Sequence, residues 1–215
     1  MAELPLDPRA QEELKKCGFP KRYPRGDLLF GEGERTDFAV LLCQGYVKIA
    51  VGARDRIVGI RGPGEIVGEL AAIEEQPRSA SVYAMDNVEA YWVPGDKWRD
   101  FVKNEWEFTI GVLRLMANRL REATTRQAEL GSLAIEQRIA KNLLDLEDKI
   151  GEREPSGVAV YLTQAELASL THTTRETVSR QVKAWGSKIL VPGGGKFIIR
   201  DSDTLRRIAK GRGVE

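Results

Sequence analysis

Residues 162–185, LTQAELASLTHTTRETVSRQVKAW, leave the chain few choices of local structure. They carry two Thr-x-x-Glu patterns, Thr163 with Glu166 and Thr173 with Glu176, and each is a capping box that opens a helix. About three residues, Leu170 to His172, separate the two helices, which is the connection of a helix-turn-helix. Ala168 is the small residue needed where two helices cross closely, and Leu167, Leu170, Val178 and Val182 are spaced to fill the gap between them. The turn needs a left-handed backbone conformation, which glycine supplies most readily. His172 stands there instead, a residue type that tolerates the conformation better than most. It is the chain's only histidine, so a His-ligated metal or haem has no second ligand, and a turn residue near phosphates is the simpler reading.

With Val178 and Val182 facing inward, Arg175, Glu176, Ser179 and Arg180 fall on the outer face of the second helix. An arginine fork pairs with guanine O6 and N7, and a glutamate accepts from the cytosine amino group. Thr174 and Thr177 at the helix start can hold phosphate oxygens, which fixes register without reading sequence. Beyond the helix, KILVPGGGKFIIR reads as two short strands around Gly193-Gly194-Gly195, the wing of a winged helix, with Lys188 and Lys196 placed for phosphate. Thr163 and Gln164 at the start of the first helix complete the expected contacts to double-stranded DNA. Charge agrees: residues 155–215 hold 10 Lys/Arg against 5 Asp/Glu, so this end is basic on an acidic body.

The rest of the chain has two patterns. From about Tyr23 to Val93, the β-rich runs FAVLLC, YVKIAV, IVGI, ASVYA and EAYWV are broken by glycine turns, as in an all-β sandwich or barrel. From about Trp106 to Leu130 there is no proline. Leu113, Met116, Leu120, Ala123, Gln127 and Leu130 recur at the spacing of a two-stranded coiled-coil seam. Asn118, Arg119, Arg121 and Glu122 flank that narrow stripe, which favours a partner helix and hence a homodimer; a helix packed on its own domain is the alternative. Ile135, Ile139, Leu143 and Leu146 then form one amphipathic face before GEREPSG breaks the chain. The class expected is α+β.

One further stretch carries chemistry: residues 64–71, GEIVGELA, followed by Pro77-Arg78-Ser79-Ala80. Glycine before a short helix lets backbone N–H groups approach an anion. A neighbouring glutamate can accept from a sugar hydroxyl, and an arginine supplies a bidentate phosphate contact.

Taken with the helix-turn-helix, this ordered set resembles the cyclic AMP receptor protein/FNR family of transcription regulators, over nearly the whole chain. The resemblance implies a jelly-roll-like, cyclic-nucleotide-binding β-roll over residues 1–105, a dimerisation helix over 106–133 and a winged helix-turn-helix over 134–215. GELAAIEEQPRSA then looks like the phosphate-binding cassette, formed by Gly68, Glu69, Leu70, Ala71, Arg78, Ser79 and Ala80, with Glu69 on the ribose and Arg78 on the cyclic phosphate. Arg175, Glu176 and Arg180 match the residues that read TGTGA half-sites. Cyclic AMP is the implied effector, and RNA polymerase an implied partner. Two features depart: the cassette loop before Arg78 is one residue shorter than in the enteric activator, and the family's adenine-contacting Thr-Ser pair falls on Ala123-Thr124, with Thr125 adjacent, which leaves Thr124 and Thr125 as the expected base contacts and keeps cyclic GMP open. A same-fold regulator that is ligand-independent or answers another effector is the runner-up. The FNR-type N-terminal cysteine cluster is missing, and the β-roll has no histidine, so neither an iron–sulfur centre nor haem is expected. On this reading Arg78→Ala abolishes nucleotide binding and leaves the fold intact.

An enzyme is not expected: the sequence shows no triad order, metal-ligand cluster or P-loop. The charged N-terminal residues lack a signal-peptide core, and runs such as FAVLLCQ are far too short to cross a bilayer. Two cysteines, Cys17 and Cys43, are too few for a disulfide framework. A cytoplasmic protein without a membrane partner is expected.

Overall fold

The computed structural model describes residues 6–212, which divide into two compact units, Met1–Ala123 and Thr124–Glu215. The first unit opens with α1 (Pro8–Cys17), capped by the Asp7 carboxylate, which accepts from the Arg9 N–H, and started by proline at its first position. Then follow β1 (Phe19–Tyr23), β2 (Leu28–Phe30), β3 (Phe38–Gln44), β4 (Val47–Val51), β5 (Arg56–Arg61), β6 (Ile66–Val67), α2 (Glu69–Glu74), β7 (Ser81–Ala84), β8 (Val88–Pro94) and α3 (Gly95–Asn104). The strands make two antiparallel sheets, β1-β8-β3-β6 and β2-β7-β4-β5. The expected strands FAVLLC, YVKIAV, IVGI, ASVYA and EAYWV became β3, β4, β5, β7 and β8; β1, β2 and β6 were not anticipated.

The unbroken apolar run of β3 has a direct cause. Phe38, Val40 and Leu42 face a core shared with Phe30, Val47, Val82 and Ala90, whereas Ala39 and Leu41 face a second core with Leu14, Ala72, Trp98, Phe108 and Val112. Both faces of the strand are covered, so no alternation survives in the sequence. The crossing from β3 to β4 passes through Gly45 (φ 78°), where a Cβ would lie 2.4 Å from an Asp86 carboxylate oxygen and 2.6 Å from the Asn87 carbonyl. Only glycine fits.

Helix α4 (Trp106–Ser132) runs across the division between the units. Phe108, Val112, Leu115 and Asn118 are buried, so part of this helix does pack on its own unit. Of the seam expected from the 3-4 spacing, Leu113 and Leu120 are 56% and 69% exposed, whereas Met116 packs against the core of its own unit. The flanking polar residues are not all turned outward as expected. Asn118 is buried, and Arg119 pairs with Glu69 in the same unit.

In the second unit come α5 (Ile135–Ile150), β9 (Glu152–Glu154), β10 (Gly157–Val160), α6 (Gln164–Leu170), α7 (Arg175–Trp185), β11 (Leu190–Gly193), β12 (Lys196–Ile199) and α8 (Ser202–Ala209). Ile139, Leu143 and Leu146 of α5 are buried as the periodicity required, while Ile135 is exposed. GEREPSG does more than break the chain: it forms the β9–β10 hairpin, which completes the sheet β11-β12-β10-β9. The wing is β11–β12, joined by a two-residue turn in which Gly194 and Gly195 both have positive φ. Among the described residues, no helix is long and apolar enough to cross a membrane.

Candidate functional site

The helix-turn-helix is built by local hydrogen bonds. Thr163 Oγ1 accepts from the Glu166 N–H at 3.2 Å and the Glu166 carboxylate accepts from the Thr163 N–H at 2.9 Å, so the first capping box is complete. The second box falls elsewhere than expected. The cap of α7 is Thr174, whose hydroxyl accepts from the Thr177 N–H at 3.2 Å, and not Thr173 with Glu176. The reason lies in how α6 ends. The Thr173 N–H closes back on the Ala168 carbonyl and the His172 N–H on that of Ser169, with His172 left-handed at φ 51°. That is a Schellman closure, and it commits the chain through Thr173 before a new helix can begin. The expectation for His172 as the left-handed residue holds.

Leu167, Ala168, Val178 and Val182 are buried as expected where α6 and α7 meet, whereas Leu170, expected with them, is only half-buried. On the opposite face Arg175, Glu176 and Arg180 are exposed, and with Gln164, Ser179 and Lys183 they line one concave surface. Lys183 was missed by the sequence reading, although it lies three residues beyond Arg180 at helical spacing. The Glu176 carboxylate accepts from its own N–H and the Thr174 hydroxyl, which holds its pKa below the ordinary carboxylate value. It therefore stays an acceptor. Thr174 is exposed and Thr177 half-buried at the helix start. Thr163 is exposed at the cap of α6, and Lys188 is exposed beyond α7. Lys196, on the wing, lies over the Tyr161 ring and is bound by the Glu154 carboxylate, so a phosphate there must compete with Glu154.

The second site sits in the first unit. Arg78 is 2% exposed and its guanidinium sits in the corner formed by the Phe30 and Phe38 rings, which meet edge to face at 75°, with Cζ 4.2 and 4.3 Å from their centroids. It donates from Nε to Thr36 Oγ1, from Nη1 to the Gly68 carbonyl and from Nη2 to the Phe38 carbonyl, each at 2.7 Å. All three acceptors are neutral. Burial pushes the guanidinium pKa down, opposed by the negative charges of Glu69, Glu34 and Asp37. Gly68 (φ 76°) caps α2, and a Cβ there would lie 2.4 Å from Arg78 Nη1, so glycine is what lets the backbone approach the guanidinium. Glu69 is 4% exposed and accepts from Arg119 Nη1 at 2.7 Å, and Arg119 Nη2 donates to the Ile66 carbonyl.

The structure therefore gathers Gly68, Glu69 and Arg78, adds Arg119, and places Ala71 buried behind them. Leu70 and Ser79 are exposed and Ala80 is half-buried. Thr124 and Thr125 are exposed on α4, in the second unit. A buried cation whose hydrogen-bonded partners are neutral, with five donors of which three are bonded, fits a singly charged phosphodiester. Arg78 also holds together Thr36, Phe38 and Gly68 and packs on the Phe30 and Phe38 rings, so Arg78→Ala is expected to cost stability as well as nucleotide binding.

Comparison with known proteins finds a family domain in each half of the chain. The cyclic nucleotide-binding domain family matches residues 20–105, and the Crp-like helix-turn-helix domain family matches residues 137–208. The CRP-like cAMP-activated global transcriptional regulator of Mycobacterium tuberculosis is 32% identical over 211 residues, covering 95% of this chain and 94% of the relative. The cyclic AMP receptor protein of Thermus thermophilus is 31% identical over 207 residues, 93% of this chain and 92% of the relative. Among solved structures, the c-di-GMP-responsive global regulator CLP of Xanthomonas campestris superposes with a TM-score of 0.77 at 22% identity, over 91% of this chain and all of that one. With a cyclic nucleotide-binding domain, a DNA-binding helix-turn-helix and relatives of this closeness along its length, the chain belongs to the cyclic AMP receptor protein/FNR family of transcription regulators.

Proposed function

We propose that this regulator is a cytoplasmic homodimer, joined through the helix at 106–133, that reads TGTGA-like palindromic sites under the control of cyclic AMP. The β-roll at 1–105 takes the nucleotide and the unit at 134–215 takes the DNA. Arg78 meets the cyclic phosphate and Glu69 the ribose, with Gly68, Leu70, Ala71, Ser79 and Ala80 forming the surrounding cassette. Thr124 and Thr125 keep the base-reading role that resemblance gives them. The bound nucleotide supplies one negative charge and a hydrogen-bonding sugar edge. Arg175, Glu176 and Arg180 read bases, aided by Ser179; Thr163, Gln164, Thr174, Thr177 and Lys196 hold phosphates. RNA polymerase is the partner through which such a regulator acts.

The observation that carries effector control is the buried guanidinium of Arg78, which has no carboxylate among its hydrogen-bonded partners. Burying such a charge is costly, and an anion that reaches it relieves the cost. A second reading has one observation in its favour. Arg78 already has three protein acceptors, as it would in a regulator whose cassette is structural and which is ligand-independent or answers cyclic GMP or another effector. Melting separates the readings. Cyclic AMP at a hundredfold excess over its Kd contributes about 2.7 kcal/mol to a state that binds it, which raises Tm by about 5–10 °C. An unchanged Tm with cyclic AMP leaves the second reading; a rise with cyclic GMP alone reassigns the effector.

A further inference from the structure

We infer that Arg99 and Asp37, outside the cassette, position Arg78 for its anion. This rests on the reading of Arg78 as the phosphate-binding residue. The segment at 33–38 holds both the backbone and the side chain of Arg78: Gly33 N–H donates to the Arg78 carbonyl at 2.8 Å and the Arg78 N–H to the Glu34 carbonyl at 2.9 Å. Thr36 Oγ1 and the Phe38 carbonyl then accept from the guanidinium itself. Asp37 stands between these two acceptors, and its own groups are held by α3. Its carbonyl accepts from the Gly95 N–H at 3.0 Å, and its carboxylate takes both terminal nitrogens of Arg99, at 2.8 and 3.0 Å.

The same Arg99 guanidinium also donates to the Ala72 carbonyl at 2.8 Å and lies 3.5 Å from the Glu75 carboxylate, at the far end of α2. The near end of α2 is Gly68, whose carbonyl is Arg78's third acceptor. One fork from α3 therefore ties the segment at 36–38, which supplies two of Arg78's acceptors, to the helix whose cap supplies the third. A Cβ at Gly95 would sit 1.7 Å from the Asp37 carboxylate, so the approach of α3 depends on glycine. A structural pair alone is a poor account of this arrangement. The Arg99 and Asp37 side chains are 31% and 57% exposed, and exposed pairs contribute little to stability. What the bidentate geometry does set is distance and direction, and anion affinity depends on both.

The test uses the full-length protein with Arg99→Gln, Asp37→Asn, their combination, and Asp37→Glu as the conservative variant. Each single change is expected to weaken cyclic AMP binding, measured by calorimetry, by about tenfold or more. The double variant should be no weaker than the worse single one, because the two residues act as a unit. Asp37→Glu should recover part of the loss, and the ligand-free melting temperature should stay nearly constant. A second readout needs no nucleotide. The Arg78 Nε–H should exchange with solvent about tenfold faster in Arg99→Gln, while the core amides of β3 keep their protection. Unchanged Arg78 exchange overturns the positioning role, as does a loss of affinity that multiplies in the double variant or tracks melting. Wild-type protein that binds no cyclic AMP overturns the reading of the pocket instead, and the exchange measurement still decides the role of Arg99.

Discussion

Arg78→Ala should lower the unfolding free energy of the ligand-free protein by about 2–4 kcal/mol, a larger effect than any surface change in the β-rich unit. The figure balances opposed effects. Removing the side chain strips the donor from Thr36 Oγ1 and from the Gly68 and Phe38 carbonyls, and takes away the group that packs on both the Phe30 and Phe38 rings. It also removes a buried positive charge, which offsets part of the loss. Urea denaturation monitored in the first unit measures the difference as a shifted midpoint at constant slope. Arg78→Lys separates charge from shape, because an ammonium is a compact point charge and cannot serve three acceptors set in a planar fork. The lysine variant should keep only a remnant of nucleotide affinity and should also be destabilised. A midpoint for Arg78→Ala equal to wild type would mean that these three hydrogen bonds and the ring contacts contribute nothing.

Arg180→Ala should weaken binding to a TGTGA palindrome by about 1–3 kcal/mol per half-site. A homodimer presents two copies, so the total comes to about 2–6 kcal/mol where the two losses add. Arg180 lies on the exposed face of α7 beside Arg175, Glu176 and Lys183, with Val178 and Val182 anchoring the opposite face. If it reads a guanine, the loss is confined to one position of each half-site, and duplexes substituted there should bind the variant as well as the original duplex does. A uniform loss on every sequence, with a salt slope reduced by about one, would make Arg180 a phosphate contact.

How far the sequence alone reaches depends on the range of the interactions involved. The helix-turn-helix was legible because Thr163, Glu166, Ala168 and the alternating buried residues act within one or two helical turns. The misplaced cap, at Thr173 instead of Thr174, came from the closure of α6, whose 168–173 hydrogen bond leaves no pattern in residue type. Strands β1, β2 and β6 escaped because they are five, three and two residues long and have little periodicity of their own. That Gly68, Glu69 and Arg78 come together was legible from their order and chemistry. That Arg78 turns inward was not, since its partners Thr36 and Phe38 lie about forty positions earlier in the chain. Arg119 was read as a flank of the seam. Its pairing with Glu69 depends on a contact fifty residues distant.

The central claim is that one chain joins an anion-responsive β-roll to a pair of reading helices, and that the first controls the second. Two such helices in a dimer meet major grooves one helical turn apart, roughly 34–36 Å in helix-turn-helix dimers generally. The measurement that tests this most directly is a titration of a fluorescent TGTGA palindrome with the full-length protein, with and without saturating cyclic AMP and, separately, cyclic GMP, at one fixed salt concentration. Control by cyclic AMP predicts affinity for the palindrome raised by about 5–150-fold, the span of a coupling free energy of 1–3 kcal/mol, with a scrambled duplex little affected. By reciprocity, the palindrome should raise cyclic AMP affinity by the same factor. Equal affinity with and without either nucleotide, on a palindrome that the protein does bind selectively, would contradict it.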